Sequence, residues 1–144
     1  MLEEKLKLTI KEAEKLHGHL GPFLVLGVRM GETAKKILKI SHENTSLQVT
    51  AKLPLRTPFS CVLDGIQATT QCTIGNQKLK IENSSKEISA KFQCTKTGKI
   101  LMMTANQKIT EALMKRLSEG VSNEELVWKI ARTPENQLFT MKKQ

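Results

Sequence analysis

Leu47-Gln48-Val49-Thr50-Ala51-Lys52-Leu53-Pro54 is where the hydrophobic period of this chain changes, and the fold class follows from it. Leu47, Val49, Ala51 and Leu53 alternate with Gln48, Thr50 and Lys52, the pattern of a strand with one buried face. Pro54 closes that strand. Upstream, beyond a loop over residues 41–46, the period is helical. Thr9-Ile10-Lys11-Glu12 reads as a capping box for a first helix that Gly18 stops. Gly21-Pro22 opens a second helix, which runs to about Ile40 with Phe23, Leu26, Met30, Ala34, Ile37 and Leu38 on its apolar face. Gly27 and Gly31 each weaken that helix by about 1 kcal/mol against alanine. They predict a second backbone packed close by, with a ligand as the lesser alternative.

Downstream, Thr57-Pro58 repeats the cap-plus-proline start, predicting a third helix over residues 59–70. Alternation then gives strands at 78–82, 87–95 and 99–104, the last two joined by a turn at Thr97-Gly98. Asn106 caps a helix that Gly120 ends. Ser122-Asn123-Glu124-Glu125 is a capping box for another, which carries Leu126, Val127, Ile130 and Ala131 and stops at Thr133-Pro134. The class is α+β: about four strands, mostly antiparallel, packed with several helices. A single domain over residues 1–134 is expected, with 135–144 a loose tail.

Composition narrows the function. At 144 residues with 39% hydrophobic and 26% charged side chains, the chain can bury a real core, which excludes the disordered class. No apolar run reaches the ~20 residues of a membrane span. MLEEKLKLTI lacks the apolar stretch of a secretory signal, and three cysteines make an odd number for a disulfide framework. A cytoplasmic protein is expected. The net charge of +9 raises nucleic acid as a partner, but 3% aromatic content with no tyrosine disfavours base stacking. Residues 45–105, with eight basic and three acidic side chains, hold five of the nine surplus charges. Their lysines fall largely on outward strand positions, as on a solvated face.

Two stretches carry chemistry. In His17-Gly18-His19-Leu20-Gly21-Pro22, a glycine turn lets imidazoles at i and i+2 converge on one point, which a helix face would forbid. His17 and His19 suit metal binding or acid/base work, or they hydrogen-bond backbone carbonyls as loop histidines do. The second stretch is Cys61-Val62-Leu63-Asp64-Gly65-Ile66-Gln67, continuing Thr70-Gln71-Cys72-Thr73-Ile74-Gly75-Asn76. Cys61 opens its helix, where the macrodipole favours thiolate as ligand or nucleophile. Asp64 and Gln67 follow at i+3 and i+6 as partners in one pocket. Cys72 reads as a loop-shaping residue and Cys94 as core.

Together the two motifs resemble the FmdE-like family, named for a component of formylmethanofuran dehydrogenase, over roughly residues 10–110. The resemblance implies an α+β core, commonly a homodimer, of archaeal or bacterial type. It also implies a His/Cys pocket that takes a metal ion or small ligand, linked to one-carbon (formylmethanofuran) metabolism. On it, His17, His19 and Cys61 would be ligands to a transition metal such as zinc. Cys61 and Asp64 would be the catalytic pair, and Gln67 and Thr73 the cofactor contacts. No activity follows from the family alone. A non-catalytic assembly or binding component with structural motifs is the alternative. The family typically has cysteine where Gly21 stands, so a thiolate donor is missing here. Longer relatives add a cysteine-rich zinc finger, whereas no cysteine follows Cys94 in this chain.

Overall fold

The computed structural model describes residues 4–40 and 46–144. In chain order these form α1 (Glu4–His17), α2 (Pro22–Leu38), β1 (Leu47–Leu53), α3 (Cys61–Thr70), β2 (Leu79–Asn83) and β3 (Ser89–Cys94). They continue through β4 (Ile100–Ala105), α4 (Gln107–Ser118), α5 (Asn123–Arg132), the single turn α6 (Glu135–Leu138) and β5 (Phe139–Lys143). The loop expected at 41–46 lies, apart from Ser46, outside the described residues.

The strands make one sheet in the order β2-β1-β3-β4-β5. β1 and β2 pair in parallel because α3 intervenes and carries the chain back to the starting end of the sheet. The other neighbours are antiparallel. The register stacks Val49 beside Phe92 and Phe92 beside Leu101, then Ala51 beside Ala90 and Ala90 beside Met103, all of them buried. The opposite face shows Thr50, Lys80, Lys91, Met102 and Lys142 in one row, so several of the central lysines are outward as their alternation implies.

The first half of α2, Pro22–Val28, is hydrophobic and buried on every side, with the helix packed on α1, α3, α5 and β4. Phe23, Leu24, Leu26 and Met30 have lost essentially all contact with water. Its glycines do what their spacing implies. A Cβ at Gly27 would fall on the Val62 carbonyl, and one at Gly31 on the Thr69 hydroxyl. From the other side, a Cβ at Gly65 would strike the Leu24 carbonyl. These three positions let α2 and α3 approach backbone to backbone and bring the two chemical motifs together.

The α+β class holds, with three local corrections. Thr9 is inside α1 and caps nothing: its hydroxyl donates to the Lys5 carbonyl at 2.9 Å, the bond a mid-helix threonine makes. α3 begins at Cys61, with Ser60 rather than Thr57 at its N-cap, because residues 57–60 form separate turns closed by Cys61 N–H to Pro58 O and Val62 N–H to Phe59 O. Residues 135–144 are no loose tail. Leu138 and Phe139 are buried, and β5 completes the sheet by pairing Phe139 with Ala105 and Met141 with Met103. So short a polar strand reads as disorder in isolation; the exposed edge of β4 is what orders it.

Candidate functional site

The two motifs meet where α1 ends against α3. Gly18, at φ +100°, terminates α1 with its N–H on the Glu14 carbonyl at 2.8 Å and reverses the chain. That reversal sets the rings of His17 and His19 side by side, centroids 4.5 Å apart and planes tilted by 40°. His17 is half-buried and His19 exposed. The glycine turn thus brings the two imidazoles into ring contact.

His17 does not bond a backbone carbonyl. Its Nδ1 lies 2.6 Å from Asp64 Oδ2. The other carboxylate oxygen, Oδ1, accepts from Gln67 Nε2 at 3.1 Å. A carboxylate can only accept here, so Nδ1 carries a proton, and in the neutral imidazole the lone pair then lies on Nε2. That Nε2 is buried and has no hydrogen-bond partner among the described residues. Leaving such an acceptor unsatisfied costs about 1–3 kcal/mol. A carboxylate orienting one ring nitrogen so that the other can bind is the arrangement found behind metal-ligating histidines.

Cys61 is the first residue of α3, one turn before Asp64, and only 8% exposed. Burial pushes its thiol pKa up, the Asp64 charge pushes it further, and a backbone hydrogen bond opposes them only in part. The thiolate expected from the helix start is therefore overruled by desolvation and a neighbouring negative charge. Among the described residues no three His, Cys, Asp or Glu side chains gather into a metal-holding group. The expected ligand set of His17, His19 and Cys61 is thus not assembled as a cluster of three donors.

The remaining candidates separate. Gln67 belongs to the site, through Asp64. Thr73 does not: beyond the far end of α3, its hydroxyl accepts from the Asn76 N–H at 3.1 Å while its own N–H donates to Asn76 Oδ1 at 3.0 Å, so it closes a turn. Cys72 is buried and donates to the Leu47 carbonyl at 3.2 Å, and Cys94 is buried beside Ser46 Oγ at 3.5 Å. Gly21 is the N-cap of α2 at φ −150°, a backbone state open to any residue. A Cβ there would sit 3.8 Å from Asn123 Oδ1 and 3.9 Å from His19 Nε2. Asn123, the first residue of α5, thus stands beside the histidine turn. Its only signal in the sequence is a helix start, which says nothing of what the helix start faces.

The profile of a protein family described as "FmdE, Molybdenum formylmethanofuran dehydrogenase operon" matches residues 16–142. A protein of Archaeoglobus fulgidus named a probable S-adenosyl-L-methionine-binding protein is 34% identical over 77 residues, which make up 54% of this chain and 21% of that protein. The chain therefore spans about a fifth of the length of this curated relative. Among solved structures, a tungsten formylmethanofuran dehydrogenase FmdE-like protein from Syntrophus aciditrophicus superposes with a TM-score of 0.63 at 16% identity. The match covers 96% of this chain and 71% of that one, and shows a shared fold.

Proposed function

The chain belongs to the FmdE family, and from that premise we propose that the turn His17-Gly18-His19 binds a metal ion or a small polar ligand. One observation carries this function: Asp64 holds the Nδ1 side of His17, and Nε2 is buried without a hydrogen-bond partner among the described residues. The donor chemistry fits a borderline transition metal such as zinc held by two imidazoles, His17 and His19. Such a metal, when bound, supplies Lewis-acid polarisation of a coordinated oxygen. Asp64 holds the ring, and Gln67 holds Asp64. Cys61 joins as a ligand or nucleophile only by giving up its proton, which burial and the Asp64 charge oppose. With no thiolate at position 21, a metal held by the two imidazoles would leave room for water or substrate. The family's description supports placing that substrate in one-carbon metabolism around formylmethanofuran.

Zinc titrated calorimetrically into tag-free protein, with metal analysis of the purified chain, tests the site. Binding by the wild type that is lost in His17→Ala/His19→Ala supports it; no binding, or equal binding by both, overturns the metal version. The name of the A. fulgidus relative makes S-adenosyl-L-methionine the first small ligand to titrate in the same pair.

A second function has its own support in Gly27, Gly31 and Gly65, whose contacts are wholly between α2 and α3. On it the motifs serve helix packing in a non-catalytic component, a homodimer or a member of a larger assembly. Light scattering of the purified chain reads the homodimer directly.

A further inference from the structure

Away from the histidine turn, α2, the start of α1 and the α5–α6 junction enclose a cleft of about 580 Å³, a volume in the range of small-molecule sites. Five cationic residues line it: Lys5, Arg29, Lys35, Lys36 and Arg132. Two carboxylates, Glu32 and Glu135, do so as well. Glu135 is already engaged, accepting from Lys36 Nζ at 2.7 Å and from the Thr33 hydroxyl at 3.4 Å.

The two most enclosed cations are held in an unusual way. Arg29 donates through Nη1 alone, to the carbonyls of Ile130, Ala131 and Thr133 at 2.9, 2.9 and 2.8 Å. Lys35, 9% exposed, donates to the Thr69 carbonyl at 2.9 Å. Among the described residues neither has a carboxylate within 4.0 Å. Each rests instead on a helix C-terminus, Arg29 on α5 and Lys35 on α3, and such an end offers only about half a negative charge. Desolvation accordingly lowers the Arg29 pKa, with the Glu135 charge opposing. Buried cations are ordinarily matched by a full counter-charge in contact; here the Glu135 carboxylate acts on Arg29 only from a distance and is itself bonded to Lys36. Nε and Nη2 of Arg29 make no hydrogen bond among the described residues, and together they are the fork that takes an oxyanion through two parallel bonds.

We propose that this cleft binds a small organic polyanion, a phosphate ester or polycarboxylate, on the free edge of Arg29. Lys5 and Arg132 flank its mouth, both exposed, and Glu32 is placed to meet a hydroxyl or amino group of the same ligand. This site is independent of the histidine turn.

Pyrophosphate and citrate, titrated separately into the isotope-labelled full chain at low salt, are the probes. Saturable shifts of the Thr33, Ala131 and Thr133 amides are expected, and the stronger of the two probes tells phosphate from carboxylate. Lys5→Glu/Arg132→Glu reverses two side chains that make no ion pair or hydrogen bond among the described residues. This double variant should weaken binding by about tenfold or more without moving the melting temperature. Three results overturn the site: no saturable shift with either probe, binding unchanged in the double variant, or shifts spread over Lys52, Lys80 and Lys91 that vanish at physiological salt.

Discussion

Asp64 Oδ2 stands 2.6 Å from His17 Nδ1, a bond between residues 47 apart in sequence. It ties the end of α1 to α3 and leaves the buried Nε2 as the nitrogen of His17 without a partner among the described residues. Asp64→Asn keeps the shape and loses the charge, and its amide can donate as well as accept, so the tautomer is no longer set. Zinc affinity should fall roughly 10–100-fold, as for other carboxylates behind ligating histidines. Titration calorimetry of the variant checks it; an unchanged affinity removes Asp64 from the site.

Position 21 is the next lever. Gly21 has an extended backbone, and a Cβ there would meet only Asn123 Oδ1 and His19 at ordinary contact distance. Gly21→Cys is therefore accommodated without strain and sets a sulfur beside the histidine turn. Zinc should bind about tenfold tighter or better, roughly 1.4 kcal/mol. Gly21→Ala, measured alongside, should bind as the wild type does.

Gly27→Ala should behave against helix propensity. Alanine gains about 1 kcal/mol in a free helix, but its Cβ would fall on the Val62 carbonyl, which belongs to the backbone of α3 and cannot turn aside. A net loss of about 2–3 kcal/mol is expected from overpacking. Urea denaturation measures it, and a neutral or stabilised variant would show that α2 and α3 are not in this contact.

The last strand should be indispensable. Deleting residues 139–144 removes the buried Phe139 and strips β4 of its outer partner. A loss of about 3 kcal/mol or more is expected from the aromatic side chain alone, read as a lower melting temperature or as aggregation through the uncovered edge. A truncated chain that melts with the wild type contradicts the pairing.

Cys72 predicts a pH dependence. Burial raises its pKa above the ordinary 9.0, outweighing the nearby Thr70 hydroxyl and the Lys78 charge. In the unfolded chain the thiol ionises at its ordinary value, so on raising the pH the unfolded state loses the proton first. Its contribution to stability is constant below about pH 9 and falls above it. The difference in unfolding free energy between wild type and Cys72→Ala should therefore shrink between pH 8 and pH 10. A difference independent of pH would show that the thiol titrates normally when folded.

Much of this molecule was legible because local rules decide it. The alternation in Leu47–Leu53, the helix starts at Asn106 and Ser122, whose side chains accept from Lys108 and Glu125 N–H groups, and the helix-stopping Gly18 are all settled within a few residues. The proximity of the His17 and His19 rings was readable for the same reason, since one glycine turn produces it. The helix-internal place of Thr9 and the sheet position of residues 139–143 were not, because a capping pattern or a short strand takes its meaning from what packs beside it.

What the chain alone determined is the order of its helices and strands as far as α5 and the residue types its two motifs can offer; these follow from periodicity and backbone preference. The tertiary structure alone decided which of those groups meet. It joined Asp64 to His17, left Cys61 a protonated thiol, carried Thr73 away to a turn and brought Asn123 to position 21. Contacts across tens of residues, and the desolvation that sets a charge, depend on packing between elements, which no local stretch of sequence encodes.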